Sequence, residues 1–304
     1  MNAAIDIGTN TVLMLIGAVE NGALKTVHEE HRIPRLGKDV DKAKVLHPDS
    51  MQRVLDVLKE YKSIIAKDFP QVEKVVVTAT SAVRDAQNRD EFIAMVKEET
   101  GLEIRLLSGD EEAQFTFAGA ISTIPSSDKD NFFVLDIGGG STEVALGKDG
   151  AASDFISFDM GCVRYSERFL IHNPPYTEEI TECKDEVFSL FGKKKFKVPR
   201  RVKAVGVAGT MTSLAAIDLQ VDDPATLDRL NGHVINREKL SKSIEIFSLH
   251  TYDELLELSP VLLKGREDIF LAGLLILESF LKYHHLDEII VSTGGIRHGV
   301  LLSL

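Results

Sequence analysis

Residues 134–143 read Val134–Leu135–Asp136–Ile137–Gly138–Gly139–Gly140–Ser141–Thr142–Glu143. An apolar run ends in a carboxylate; three glycines, two hydroxyls and a second carboxylate follow. Glycine lets backbone N–H groups close on an anion, because no Cβ holds it off. Ser141 and Thr142 add hydroxyl donors, and Asp136 and Glu143 offer hard oxygen ligands for a divalent cation. The stretch suggests a phosphate held beside Mg²⁺. The alternative is a plain hairpin with a glycine-rich turn.

The same form occurs 130 positions earlier, at Asp6–Ile7–Gly8–Thr9–Asn10–Thr11. Each copy has an apolar strand, an aspartate, a glycine turn, hydroxyl side chains and a second apolar strand. An echo at this spacing predicts two related domains, each contributing one phosphate-gripping hairpin to a shared cleft. The polar stretch 122–131 makes the domain boundary. This divides the chain into 1–124 and 125–304, with the last helix, about 296–304, packing back on the first domain.

At 304 residues there is chain enough for two cores. A hydrophobic content of 44% with 27% charged residues is the profile of a globular protein. Cys162 and Cys183 have no CxxC spacing, so neither a zinc site nor a disulfide framework is expected. The N-terminus lacks the basic region and apolar core of a signal peptide, and no run approaches a membrane span. A cytoplasmic protein with no membrane partner is expected. Thirty-five Lys and Arg against 47 Asp and Glu give a net charge of −12, which argues against nucleic-acid binding. The one basic cluster, Lys193 to Lys197 with Arg200 and Arg201, is either a solvated surface or a guide for a polyanion.

Further candidates lie at predicted strand ends and helix starts. The buried strand 75–77 delivers 78–85 to the place where α/β sheets carry site loops. Arg84 there is either a phosphate ligand or the partner of a local carboxylate such as Asp85. Apolar positions from Met51 to Ile65 recur at helical spacing, and Asn88 reads as the N-cap of a helix that Gly101 ends. Ser108–Gly109–Asp110–Glu111 reads as a capping box. With Glu111 spent on capping, Glu112 points about 100° further round the helix and is free for chemistry; its other reading is a glutamate favoured by the helix dipole. Gly209 and Thr210 form another glycine–hydroxyl turn at a helix start, either an anion site or a tight connection.

Eight motifs now stand in order: AAIDIGTNT, ATSAVRDA, LLSGDEEA, VLDIGGGSTE, DMGCVR, GVAGTMTSLA, GREDIFLAG and STGGIRHG. Together they resemble the exopolyphosphatase/guanosine pentaphosphate phosphohydrolase (Ppx/GppA) family over nearly the whole chain. The resemblance implies an α/β fold of two ribonuclease-H-like (actin/hexokinase/Hsp70-type) domains flanking an active-site cleft. It implies Mg²⁺-dependent hydrolysis of a terminal phosphoanhydride, with Mn²⁺ as the alternative ion, and a homodimer. By motif position it makes Glu112 the base that activates water, and Asp136 and Glu143 the acids at the metal. Gly8, Thr9, Asn10 and Thr11 fall in the first phosphate loop, Gly138, Gly139 and Ser141 in the second, and Arg84 faces phosphate.

Inorganic polyphosphate is the leading substrate and pppGpp, hydrolysed to ppGpp, the runner-up. A non-hydrolytic (p)ppGpp sensor is the alternative from another class, disfavoured because binding alone needs no base. A sugar or acetate kinase is disfavoured because no acceptor site is indicated. Two departures are visible. The first loop reads DIGTNT where many members have DxGSNS, which keeps the hydroxyl. Longer members carry an added C-terminal helical region that this sequence does not reach, so contacts depending on it are not expected.

Overall fold

Two hairpins head two sheets in the computed structural model, which describes residues 1–125, 130–221 and 229–304. Residues 126–129, inside the polar stretch read as the boundary, lie outside the described residues. The chain first forms β1 (Asn2–Ile7), β2 (Val12–Glu20), β3 (Ala23–Arg32), α1 (Val40–Ala43), α2 (Pro48–Asp68), β4 (Lys74–Ala79), α3 (Ser81–Asp85), α4 (Arg89–Thr100), β5 (Ile104–Leu106) and α5 (Gly109–Ser122). It continues with β6 (Asn131–Ile137), β7 (Thr142–Lys148), β8 (Ala151–Phe158), α6 (Cys162–Phe169), α7 (Thr177–Phe191), β9 (Lys203–Val207) and α8 (Ala208–Leu219). The closing elements are β10 (Val234–Asn236), α9 (Arg237–Leu249), α10 (Tyr252–Leu258), α11 (Pro260–Leu263), α12 (Phe270–Tyr283), β11 (Glu288–Val291) and α13 (Ile296–Leu302).

The sheets run β3-β2-β1-β4-β5 and β10-β11-β9-β6-β7-β8. In each, a hairpin meander is antiparallel and the next two strands on the other side of its first member run parallel to it, with β10 antiparallel at the edge of the second sheet. Only β10 has no counterpart. Two such lobes make the expected ribonuclease-H-like, actin/hexokinase/Hsp70-type architecture.

Alternation along the strands assigns their faces. Ala3, Ile5 and Ile7 face the core under α2 and α4, whereas Ala4 faces α13. Phe133, Leu135 and Ile137 face the core under α7, α8 and α12, whereas Phe132 and Val134 face α5. Asp6 and Asp136 share parity with Ala4 and Val134, so both point into the space between the lobes. The pattern at 49–66 forms α2, which buries Met51, Val54, Leu55, Leu58 and Tyr61. Each fully buried aliphatic side chain of that face contributes about 1.5–3 kcal/mol, and the Tyr61 hydroxyl donates to Val12 O at 2.9 Å. Helix α12 is buried from Phe270 through Leu281, as expected of a helix apolar on every side. The capping box at Ser108 and Glu111 is present. Asn88 departs from expectation: its side chain bonds both backbone groups of Leu46, at 2.8 and 3.1 Å, instead of capping α4.

The lobes are joined by two crossing helices. α5 lies on the second sheet and α13 on the first, and the two pack on each other. Their backbones meet: a Cβ on Gly119 would strike Gly295 O, and one on Gly299 would strike Phe115 O. Both positions must be glycine for the crossing to stay this close. Gly119→Ala is therefore expected to destabilise the protein by about 1–3 kcal/mol through overpacking, seen as a lower urea midpoint. A wild-type midpoint would show that the helices can move apart freely.

Candidate active site

Two four-residue turns define the cleft. Gly8 N donates to Thr11 O at 2.9 Å, and Gly138 N to Ser141 O at 3.0 Å, so the two copies of the sequence motif fold alike. The carbonyls of the tips are taken by neighbouring segments. Gly37 and Arg35 donate to Thr9 and Asn10, and Cys162, Val163 and Arg164 to Gly138 and Gly139. This leaves the tip amides as donors. Among the described residues the glycines of the second tip are not in the left-handed region. They are required by approach: a Cβ on Gly139 would lie 2.7 Å from Thr9 Cβ, and one on Gly140 would strike Ser81 Oγ. The space left where the tips touch, about 10 Å³ lined by Thr9, Ser81, Gly140 and Arg164, suits about one water. A phosphoryl group needs the tips to part.

Behind the tips stand the acids. Strand register sets Asp136 opposite Glu143, and Glu143 opposite Ser157. Like charges directly opposite cost stability in a sheet, so this pair calls for a compensating cation. Glu112, from the start of α5, is 7% exposed and Glu143 2%. Each acid has a tether: Thr116 Oγ1 donates to Asp136 Oδ2 at 3.0 Å, and Ser157 Oγ to Glu143 Oε1 at 2.6 Å. Arg84 Nη1 donates to Glu112 Oε2 at 3.0 Å and to Leu107 O. Asp6, held by Thr78 Oγ1 at 3.1 Å, is a fourth carboxylate of the cleft.

The environment disfavours charge on all four. Burial raises Glu143 to about 8, with Asp136 adding to the effect, and raises Asp136 to about 6. Burial and then the neighbouring Glu143 hold Glu112 well above the ordinary carboxylate range. Asp6 is raised to about 6, mainly by burial, and Arg297 opposes the rise. Glu143 Oε2 is buried with no hydrogen-bond partner. A bare carboxylate oxygen across from a second acid fits a hard divalent cation that completes its shell with water and phosphate. Asp136 and Glu143 would hold such an ion. Among the described residues no three His, Cys, Asp or Glu form a closed metal cage.

The remaining predicted residues sort as follows. Thr9, Asn10 and Ser141 are buried at the tips, and Gly8 and Thr11 close the first turn. Arg84 holds Glu112, and Asp85 is engaged elsewhere, by Arg164. Gly209 opens α8, and Thr210 is buried against Gly273. The basic run lies before Lys203, at the start of β9. Lys194 of that run pairs with Asp154 of β8, three residues along the strand from Ser157.

Sequence reasoning missed two arginines. The half-buried Arg266 guanidinium lies against Gly209, where a Cβ would strike it, and reaches His31 Nε2 at 3.4 Å. Burial lowers its pKa, and no carboxylate bonds its side chain among the described residues. The Arg266 guanidinium thus lies beside the N-terminal turn of α8, two features that each favour an anion. Arg164 bonds Asp41 and Asp85 of the first lobe and donates through Nε to Gly140 O of the second tip at 2.6 Å. Both arginines sit in the quoted motifs GREDIFLAG and DMGCVR, which was the only signal for them.

Comparison with known proteins follows this geometry. The sequence profile described as the Ppx/GppA phosphatase family matches residues 15–304. A bifunctional 3-dehydroquinate synthase/phosphatase of Fusobacterium nucleatum is 34% identical over 99% of the chain, which spans 46% of that relative's length. Exopolyphosphatase 2 of Mycobacterium tuberculosis is 33% identical, covering 99% of this chain and 98% of its own. The crystal structure of the Aquifex aeolicus member of the Ppx/GppA family superposes with a TM-score of 0.81 at 32% identity, over 99% of this chain and 96% of that one.

The raised acids make a stability prediction for the metal-free protein. Folding lifts these carboxyls above the unfolded values near 4, so the folded site keeps protons that the unfolded chain has lost. Their contribution is full below about pH 4 and is lost as pH rises through about 8, by at most about 1.4 kcal/mol per group and pH unit. Mg²⁺ should therefore raise the melting temperature more at pH 8 than at pH 6, and release protons on binding. Equal shifts at both pH values, with no proton release in weakly buffered solution, would contradict this account.

Proposed function

The chain belongs to the Ppx/GppA phosphatase family, and from that premise we propose that it hydrolyses the terminal phosphoanhydride of inorganic polyphosphate, releasing orthophosphate. The observation that carries this reading is the placement of Glu112, fixed by Arg84, beside the Asp136–Glu143 pair and behind two glycine tips. Binding alone would not require a tethered acid whose proton affinity burial and Glu143 raise well above the ordinary carboxylate range.

In this reading the lobes part, the terminal phosphoryl group enters between the tips, and the amides of Thr9, Asn10, Gly139 and Gly140 receive its oxygens. Asp136 and Glu143 would hold a divalent cation such as Mg²⁺, which would supply positive charge beside those oxygens. Glu112 accepts a proton from water as its oxygen bonds to phosphorus, while the bridging P–O bond breaks and the shortened chain leaves with the electron pair. Arg84 keeps one Glu112 oxygen occupied and so directs the other at the water. Arg266 and the start of α8 receive the phosphates that remain with the leaving chain.

Glu112→Gln keeps the shape and removes the base. It is expected to lower kcat about 10²–10⁴-fold at saturating Mg²⁺ with little change in KM. Near wild-type turnover would refute the assignment. Phosphate release from polyphosphate and from pppGpp, measured side by side, tests the substrate. A kcat/KM favouring pppGpp by tenfold or more, about 1.4 kcal/mol, would reverse the choice.

A further inference from the structure

Ser157 has no place in the reaction so far, and its surroundings are specific. Register on β8 puts it directly across from Glu143, and its hydroxyl donates to Glu143 Oε1 at 2.6 Å. That bond occupies Oε1, while Oε2 is buried with no hydrogen-bond partner among the described residues. On its other side Ser157 meets the first residue of α5: a Cβ built on Gly109 would lie 2.5 Å from Ser157 Cβ. Gly109 is thus the residue that lets β8 approach the helix carrying Glu112. One serine touches the strand that bears an acid of the metal pair and the start of the helix that bears the base.

We infer that Ser157 is a positioning residue. It fixes the rotamer of Glu143 so that Oε2, and only Oε2, faces the cation and the attacking water, and it sets that oxygen's distance from Glu112. A glutamate carboxylate on three free torsions would sample orientations in which neither oxygen reaches the ion. Supporting hydroxyls of this kind typically change metal affinity or activity about 10–100-fold when removed. Ser141, which also hydrogen-bonds Glu143, sits in the tip and moves with the phosphate loop. Ser157 belongs to the sheet and stays with the scaffold. The inference rests on the reading of Glu143 as an acid of the metal site.

The test is Ser157→Ala, alone and combined with Glu143→Ala. Alanine fits the space the serine fills, so the melting temperature should stay near that of the wild type. Mn²⁺ binding, followed by electron paramagnetic resonance without substrate, should weaken about tenfold. With Mg²⁺ saturating, kcat on polyphosphate should fall about 10–100-fold while KM stays put. In the Glu143→Ala background, Ser157→Ala should change Mn²⁺ binding no further, because its effect passes through the missing carboxylate. Wild-type Mn²⁺ affinity and turnover in Ser157→Ala would overturn the inference. So would an equal fold-loss in both backgrounds, which would mark the serine as structural. Wild-type turnover in Glu143→Ala would take down the reading of the site itself, and this inference with it.

Discussion

Four carboxylates converge where the two lobes meet, and the rest of the molecule is arranged to tolerate them. Asp6, Glu112, Asp136 and Glu143 repel one another in a cleft that burial makes a poor solvent for charge. Each is held by a short-range side-chain donor, Thr78, Arg84, Thr116 and Ser157 respectively. Three of these four are hydroxyls, which orient a carboxylate without cancelling its charge. Among the described residues only Glu112 of the four has a direct counter-ion, Arg84. The Asp136–Glu143 side is therefore the less compensated one.

The same cleft has to open and close. Arg164 donates from one guanidinium to two carboxylates of the opposite lobe and to the carbonyl of Gly140. Arg168 adds two more bonds to Asp41, through Nε and Nη2. On the far rim, Arg35 reaches Asp268 at 2.9 and 3.0 Å, again across the lobes. Truncating one member of a buried pair strands the other charge, so these contacts favour two discrete arrangements over gradual drift. Because Arg164 also grips the second tip, lobe closure and the setting of the phosphate loop are mechanically one event.

What could be read in the sequence follows from the range of the interactions. Hairpins, the α2 stripe and the Ser108–Glu111 box are local, and all appeared as expected. The recurrence of Asp6–Thr11 at Asp136–Ser141 revealed the duplication because both copies retain the turn. The capping box uses Glu111 and leaves Glu112 for the cleft, a local feature that the sequence shows. Arg84 was ambiguous because its partner lies 28 positions away, not next door at Asp85. Arg164 bridges 123 positions to Asp41, and no periodicity encodes such a pair. Asn88 misled because a helix-start asparagine looks the same whether it caps its helix or ties down Leu46.

Duplication also explains where chemistry settles. In the second hairpin, register places Glu143 across from Asp136; in the first, the corresponding residue across from Asp6 is Leu13. Two symmetric acid pairs would have put a fifth carboxylate into a cleft whose four already resist ionisation. With leucine there, the first lobe keeps its phosphate-gripping turn and a single aspartate. The Asp136–Glu143 pair then belongs to one lobe alone, and so does Ser157. Parting the lobes therefore moves the phosphate tips and leaves the Asp136–Glu143–Ser157 geometry intact on one sheet. A cleft divided so that only the glycine tips span the boundary between lobes can open without dismantling its acid pair.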